Sequence, residues 1–151
     1  MSEAEKALME AGVRKPCVVV DWDGTCVKSA WPEQPRKWLP GTTKFLRWLL
    51  KEGFEVKIHT VRTHSLSFDS SGPNPDRKRD LRYIREMLDG AGLQEISIVM
   101  DDKPAAMFYI DDRALRFEGS WDEVREEMEL RRWKGEVVKG DITDAAQGAK
   151  K

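Results

Sequence analysis

Short apolar runs alternate with helical patterns along the chain. Four runs predict strands, at residues 17–22, 54–60, 96–100 and 107–110. The first, CVVVDW, is rich in β-branched residues and is soon followed by Gly24, which is typical of a strand buried on both faces. Only six residues separate the last two runs, fewer than the roughly twelve that a parallel crossover normally needs. We therefore expect the 96–100 run to be an edge piece that is not parallel, or not a strand.

The segments between and after these runs have the apolar spacing of helices. Three helices are predicted with capping residues: Thr42 for the first, Asp76 for the second, and an S-x-x-E capping box, Ser120 with Glu123, for the third. Their expected inward residues are Phe45, Leu46 and Leu49, then Leu81, Ile84 and Leu88, then Trp121, Val124 and Met128. Strands that alternate with helices predict an α/β fold with a mostly parallel central sheet.

Length and composition favour one globular domain. The 151 residues are too few for two independent cores, so we assign 15–139 to the domain, 1–14 to an N-terminal extension and 140–151 to a flexible tail. No apolar run is long enough for a bilayer or a secretory signal, and two cysteines without metal-ligand spacing fit a reducing compartment, which predicts a cytoplasmic protein. The net charge of −1 means that a polyanion would have to bind at a local basic patch.

Candidate chemistry begins at the carboxyl end of the first predicted strand, where Asp21 and Asp23 lie two residues apart and precede Gly24 and Thr25. Ligands bind at this edge of open α/β sheets. Two carboxylates so close cannot easily both stay ionised unless a cation compensates them or one keeps a proton. A hard cation such as Mg²⁺ would suit the first alternative, and a general acid would follow from the second. Gly24 also allows a sharp turn whose backbone N–H groups can face an anion.

A second acidic pair, Asp111 and Asp112, closes the fourth run in the same way. If the first and fourth strands are neighbours, three or four acidic groups converge at one edge, an arrangement that calls for a metal ion. Thr60 ends the second run and offers a hydroxyl there, and Lys103 supplies a positive charge shortly before the fourth.

The order of these motifs resembles the haloacid dehalogenase-like (HAD) superfamily of phosphohydrolases. The resemblance rests on D-W-D-G-T at 21–25, then Thr60, Lys103 and the 111–112 pair, and the stretch 103–119 looks like small capless members from phages and bacteria. It implies a three-layer Rossmann-like fold without a separate cap domain, and a Mg²⁺-dependent phosphatase.

The resemblance also implies catalytic roles. Asp21 would attack phosphorus and form an aspartyl-phosphate, while Asp23 would protonate the leaving oxygen and then deprotonate the hydrolytic water. Thr60 and Lys103 would hold the phosphoryl oxygens in the transition state. An aspartate rather than a threonine at position 23 favours net hydrolysis over phosphate transfer.

Substrate and metal ligands follow from the same resemblance. Substrate-binding residues would be Gly24, Thr25, Thr60 and Lys103; metal ligands would be Asp21, Asp23 through its carbonyl, Asp111 and Asp112. If Lys103 does not hold the phosphate, the expected substitutes are Lys78 and Arg79.

Substrate size is limited by the gaps between motifs. Only 34 residues separate Thr25 from Thr60, and 42 separate Thr60 from Lys103, so neither gap holds a cap domain. An open site suits a large substrate, such as a phosphorylated nucleic-acid end, a nucleotide or a protein, unless a second subunit closes over it. The polar loop 61–76 is either a lid or a surface excursion.

Two further features have a functional and a structural interpretation. Trp31 and Trp38 either stack a base or pack in the core. Lys78, Arg82 and Arg85 fall at helical spacing and form either a phosphate-binding stripe or a solvated helix face. Two other functions compete with a phosphatase: a phosphate-responsive module like a response-regulator receiver, whose motif order differs, and a catalytically idle adaptor for nucleic acid or protein.

Overall fold

The structure is a computed structural model that describes residues 3, 7, 10–12, 14–30, 33–34, 36–67 and 71–133. The predicted 140–151 tail, most of the 1–14 extension and Trp31 lie outside the described residues. The elements are β1 (Cys17–Val20), α1 (Thr42–Lys51), β2 (Glu55–His59), a 3₁₀ turn (Val61–Thr63), α2 (Arg77–Gly90), β3 (Ser97–Val99), β4 (Phe108–Ile110) and α3 (Trp121–Trp133).

The four strands form one parallel sheet in the order β3-β2-β1-β4, which confirms the predicted α/β class. The expectation that the 96–100 run is not a parallel strand is wrong, because β3 pairs in parallel with β2. β3 and β4 lie at opposite edges of the sheet, so no helix is needed between them. The extended segment 100–107 spans up to about 27 Å, enough to cross three strand spacings of about 5 Å.

The core lies on one face of the sheet, beneath α1 and α2. Both helices connect strands that step in the same direction, from β1 to β2 to β3, so right-handed crossovers place them on the same side. Their buried residues share one cluster with alternate residues of the two central strands: Val18, Val20, Leu46, Leu49, Val56, Ile58, Tyr83, Ile84 and Leu88. Phe45 was expected in this core but is 43% exposed and packs beside Trp48 on the outer side of α1.

Two of the predicted helix caps differ from the structure. Gly41, with a φ of 85°, is the N-cap of α1, while the hydroxyl of Thr42 donates to the carbonyl of Cys26 at 3.3 Å. Asp76 does precede α2, but its carboxylate pairs with Arg79 at 3.0 Å instead of capping a backbone N–H. In both cases the side chain bonds to another residue instead of to the backbone N–H groups at the start of the helix.

The third helix is capped as predicted but buried differently. The N–H of Glu123 donates to the hydroxyl of Ser120 at 3.3 Å. Trp121 and Met128 were expected to face inward, yet they are 74% and 56% exposed. Their helical spacing creates an apolar stripe, but within the described residues no surface covers it.

The connections between motifs contain ordinary elements. Between Thr25 and Thr60 the described residues form α1 and β2, and between Thr60 and Lys103 they form the 3₁₀ turn, α2 and β3. Among these described residues there is no separate cap domain. No helix in the described ranges has both the length and the apolar character that crossing a membrane requires.

Candidate active site

The first acidic motif lies where β1 ends. The N–H of Asp21 donates to the carbonyl of Ile110 at 2.9 Å, which extends the pairing of β1 with β4 by one hydrogen bond. Trp22 is completely buried and meets Trp38 edge-on at 5.3 Å between ring centroids, so Trp38 packs in the core in this structure. The anchored Trp22 fixes the turn that carries the two flanking carboxylates.

Three carboxylates converge at the carboxyl edge of the sheet. Asp21 follows β1, and Asp111 and Asp112 follow the neighbouring β4. One oxygen from each of the three lies within 4.8 Å of the others. We call these residues the acidic trio. The sequence predicted this convergence for the case in which the first and fourth strands are neighbours, and the structure makes them neighbours.

Thr25 and Gly24 hold the trio together. The Thr25 Oγ1 atom lies 3.3 Å from Asp21 Oδ2 and 3.3 Å from Asp112 Oδ1, and it accepts the N–H of Asp112 at 3.2 Å. Gly24 has a φ of +81°, and a Cβ there would lie 2.4 Å from Asp112 Oδ2. Glycine is therefore required both by the backbone conformation and by the close approach of the carboxylate.

The turn uses the backbone N–H groups that the sequence analysis expected to face an anion. The N–H of Gly24 donates to the carbonyl of Val27 at 2.8 Å, and that of Thr25 to the carbonyl of Trp22 at 3.3 Å. In this structure neither group is free for a phosphate. In this structure Gly24 and Thr25 shape the turn and Thr25 also bridges two trio carboxylates, while their contact with substrate stays a prediction.

Asp21 has an unusual proton affinity. Burial raises its pKa to about 7, against a lowering effect of the Trp22 backbone hydrogen bond and with further raising by the negative charges of Asp111, Asp112 and Asp23. A bound divalent cation would offset part of this negative charge. Three converging carboxylate oxygens are the donors that Mg²⁺ prefers, so the trio fits the predicted metal.

Asp23 lies outside the trio and is bound by an arginine that the sequence did not predict. Arg62 Nε donates to Asp23 Oδ2 at 2.6 Å, and Arg62 Nη2 donates to Asp23 Oδ1 at 2.7 Å. Arg62 is fully buried, whereas 15% of the Asp23 side chain is exposed. The cation that compensates this carboxylate thus comes from the chain itself. Nothing in the polar segment after Thr60 marks Arg62 for burial, because its partners are distant in sequence.

Arg62 is held from the other side as well. Its Nη2 donates to the carbonyl of Glu33 at 2.6 Å, and its Nη1 lies 3.7 Å from Oδ2 of the fully buried Asp80. Asp80 Oδ1 accepts from Gln34 Nε2 at 2.6 Å. Burial opposes the charge of Arg62, but the hydrogen bonds and charge of Asp23, with that of Asp80, outweigh it and raise the Arg62 pKa.

Thr60 and Lys103, the two residues predicted to contact the phosphoryl group, have different surroundings. Thr60 ends β2, beside β1, and is 5% exposed; its Oγ1 accepts the backbone N–H of Arg62 at 3.3 Å. The Lys103 ammonium lies over the Tyr109 ring, 4.4 Å from its centroid. Among the described residues, the structure gives no contact between Lys103 and the acidic trio. Of the suggested substitutes for Lys103, Arg79 pairs with Asp76 and Asp80.

The loop 61–76 is partly described. Its described residues close on themselves through a bridge between Leu66 and Pro73 and a hydrogen bond from the Ser67 N–H to the Gly72 carbonyl at 2.8 Å. Asn74 Nδ2 donates to the carbonyl of Arg62 at 3.1 Å and so ties the loop to the buried arginine.

A basic groove lies between α2 and the edge strand β3. It has a volume of about 650 Å³ and is lined by Lys78, Leu81, Arg82, Arg85, Ser97, Ile98 and Met100. Arg85 is engaged by the Ile96 carbonyl at 2.7 Å and by Asp89 at 2.8 Å. Lys78 and Arg82 are exposed, and none of the lining residues is acidic. The predicted basic stripe therefore forms one wall of an open groove.

Comparison with known proteins assigns no family to this chain. No protein-family model matches the sequence, and no curated protein matches it. Among solved structures, the chain is similar to a conserved protein from Bacteroides thetaiotaomicron, at 17% sequence identity and a TM-score of 0.45. The alignment covers 83% of this chain and 99% of that chain. A similarity at this level does not extend to function.

Proposed function

We propose that this protein is a Mg²⁺-dependent phosphatase of the HAD-like type, which hydrolyses a phosphomonoester through an aspartyl-phosphate on Asp21. The observation that carries the proposal is the acidic trio, in which one carboxylate after β1 and two after β4 have oxygens within 4.8 Å of one another. The order of motifs along the chain supports the same assignment.

Asp21, Asp111 and Asp112 would hold the metal, with the carbonyl of Asp23 as the further ligand that the resemblance implies. When bound, Mg²⁺ would neutralise charge on the phosphoryl oxygens. Without a cation, burial raises the Asp21 pKa to about 7, and the negative charges of Asp111, Asp112 and Asp23 add to this effect. Without metal, Asp21 would be partly protonated near neutral pH and therefore a poor nucleophile.

The chain's own residues would carry the two chemical steps. An Asp21 carboxylate oxygen bonds to phosphorus as the bond to the leaving oxygen breaks, and Asp23 gives that oxygen a proton. Asp23 then takes a proton from water, whose oxygen bonds to phosphorus as the Asp21–phosphate bond breaks. Since both Asp23 oxygens accept hydrogen bonds from Arg62, each proton transfer weakens at least one of these bonds. Thr60 and Lys103 are proposed to contact the phosphoryl oxygens.

An uncapped edge favours a large substrate, and the basic groove favours a polynucleotide end. Lys78 begins the groove on the first turn of α2, at the carboxyl edge of the sheet, and Arg82 follows one turn later. Neighbouring strands are about 4.8 Å apart, so β3 lies about 10 Å from β1. A chain whose terminal phosphate reached Asp21 could thus place a phosphate further along it near these two cations.

The central test is hydrolysis of p-nitrophenyl phosphate and of 3′- and 5′-phosphorylated oligonucleotides, with Mg²⁺ or with EDTA. We expect turnover only with metal, none with Asp21→Asn, and normal turnover with Asp102→Asn, which changes an exposed acid outside the trio. Full activity of Asp21→Asn would refute the assignment of the nucleophile.

The substrate class is tested separately. The double variant Lys78→Glu/Arg82→Glu should raise the KM for a phosphorylated oligonucleotide about tenfold and leave that for p-nitrophenyl phosphate unchanged. Arg125→Glu, on exposed α3, is the matched control. An unchanged KM for the oligonucleotide would remove the groove from substrate binding.

A catalytically idle adaptor is the second candidate. It is favoured by one observation, that Arg62 already occupies both Asp23 oxygens and the local backbone occupies the Gly24 N–H. Stabilisation by Mg²⁺ without phosphate release from mononucleotides, sugar phosphates, phosphopeptides or oligonucleotides would establish the adaptor instead.

A further inference from the structure

We infer that Arg62 is a positioning residue, which acts through Asp23 by holding its carboxylate in one orientation outside the acidic trio. The inference rests on the proposed function, because it assigns a role within the proposed hydrolysis. It concerns a residue that the motif pattern does not include.

The contact between the two side chains fixes an orientation as well as a distance. Nε and Nη2 of Arg62 each donate to a different oxygen of Asp23, at 2.6 and 2.7 Å. Two parallel hydrogen bonds between a planar guanidinium and a planar carboxylate leave the carboxylate no free rotation. A single hydrogen bond, or a lysine ammonium, would restrict the distance but not the plane.

Arg62 is itself held by structure on every side. Its guanidinium also contacts the Glu33 carbonyl and the buried Asp80, and its backbone N–H donates to Thr60 Oγ1. Because Arg62 is fully buried, water does not compete for these bonds. The Asp23 carboxylate is therefore tied to segment 33–34 and to α2 through one rigid side chain.

The direction of the contact distinguishes positioning from simple stabilisation. A buried arginine could satisfy its charge with Asp80 alone, but Arg62 lies 3.7 Å from Asp80 and makes hydrogen bonds of 2.6 and 2.7 Å to the partly exposed Asp23 in the candidate site. Without them, Asp23 could turn toward the trio and add a fourth carboxylate to it. Arg62 thus holds the Asp23 carboxylate in a fixed place outside the acidic trio and leaves Asp21, Asp111 and Asp112 to the metal.

A double-mutant cycle with p-nitrophenyl phosphate and saturating Mg²⁺ tests the inference. This substrate has a good leaving group, so variants of Asp23 should retain measurable turnover. We expect Arg62→Lys, which keeps the buried charge, to lower kcat about tenfold or more with little change in KM. In an Asp23→Ala background the same substitution should change kcat less than about twofold, because its target is gone.

Two additional variants separate positioning from folding. Arg47→Lys, at an arginine that donates to the Ala91 carbonyl at 2.8 Å, should leave kcat unchanged. Arg62→Ala should regain part of its lost kcat when guanidinium is added below denaturing concentrations, and Arg62→Ala/Asp23→Ala should not. Equal losses from Arg62→Lys in both backgrounds, or an equal loss from Arg47→Lys, would overturn the inference.

Failure of the proposed function would look different. If the wild-type protein released no phosphate, or Asp21→Asn kept the full rate, the phosphatase assignment would fail on that result alone. The positioning role would then be decided by a crystal structure of Arg62→Lys. A reoriented Asp23 carboxylate would support it, and an unmoved one would overturn it.

Discussion

Replacing Asp21 by asparagine should stabilise the metal-free protein at alkaline pH. The folded state raises the Asp21 pKa from its ordinary 3.8 to about 7. Below about pH 4 the Asp21 carboxyl group is protonated in both the folded and unfolded states, so it does not change the free energy of unfolding. Between about pH 4 and 7 the unfolded state releases this proton more readily, so the free energy of unfolding falls as the pH rises.

The size of this change in the free energy of unfolding follows from the difference between the two pKa values of Asp21. A tenfold change in proton affinity corresponds to about 1.4 kcal/mol, so the interval sets an upper limit of about 4 kcal/mol above pH 7. Water reaches the partly exposed Asp21 carboxylate and screens its neighbours, which reduces this to about 2 kcal/mol. Asp21→Asn removes the ionisation and should raise the free energy of unfolding by about 2 kcal/mol at about pH 8, and by less than about 0.5 kcal/mol at about pH 4.5.

Magnesium should reverse the order of stability. A ligand at 100 times its Kd stabilises the folded state by about 2.7 kcal/mol, and Asp21→Asn removes one of the three proposed carboxylate ligands. Urea unfolding at both pH values, with EDTA and with Mg²⁺, measures all four free energies for wild type, Asp21→Asn and the control Asp102→Asn. We expect Asp21→Asn to be more stable than wild type with EDTA and less stable with Mg²⁺ at the higher pH.

Two results would refute this reasoning. Destabilisation by Asp21→Asn to the same extent at both pH values would show that the carboxyl group stabilises the fold through its hydrogen bonds. A full stabilising effect of Mg²⁺ on Asp21→Asn would show that the ion binds elsewhere.

Three further substitutions test the neighbouring residues. Gly24→Ala should abolish stabilisation by Mg²⁺ in thermal unfolding, since its Cβ would meet a trio carboxylate at 2.4 Å. The control Gly92→Ala is also at positive φ but has nothing within 4 Å, so it should retain stabilisation by Mg²⁺. Equal behaviour of the two variants would contradict the steric argument. Thr25→Val should cost about 1 kcal/mol in urea unfolding and weaken Mg²⁺ binding in titration calorimetry, because it removes the hydroxyl shared by two carboxylates; unchanged affinity would exclude this role. Lys103→Ala should lower kcat/KM about tenfold or more if the ammonium binds the phosphoryl group, whereas Tyr109→Leu should leave kcat/KM unchanged. Equal small losses from both variants would show that Lys103 only packs on the Tyr109 ring.

The parts of the fold that depend on local pattern were predictable from the sequence. β-Branched runs and the residues that follow them placed Asp21 and the 111–112 pair at strand ends, and parallel pairing of β1 with β4 brought them together. The direction of β3 was mistaken because the prediction required a parallel crossover of about twelve residues, whereas a shorter connection joins β3 and β4 at opposite edges of the sheet.

The parts that depend on distant partners were not predictable. Arg62 is buried because Asp23 and Asp80, 39 and 18 positions away, both face it, and no periodicity in the sequence records that. Lys103 has a long exposed side chain whose position is set by a ring that it meets only after folding. For Trp121, the helical spacing predicted an apolar stripe on α3, but the spacing carries no information on whether another part of the chain packs against that stripe.

The buried guanidinium of Arg62 also affects how this protein folds in the absence of a metal ion. Many small metal-binding domains are unfolded until the metal arrives. Here the chain carries its own counter-charge for Asp23, buried in the 3₁₀ turn. The charge of Asp23 is therefore compensated before any ion binds, and the acidic trio is what remains for an external cation to neutralise.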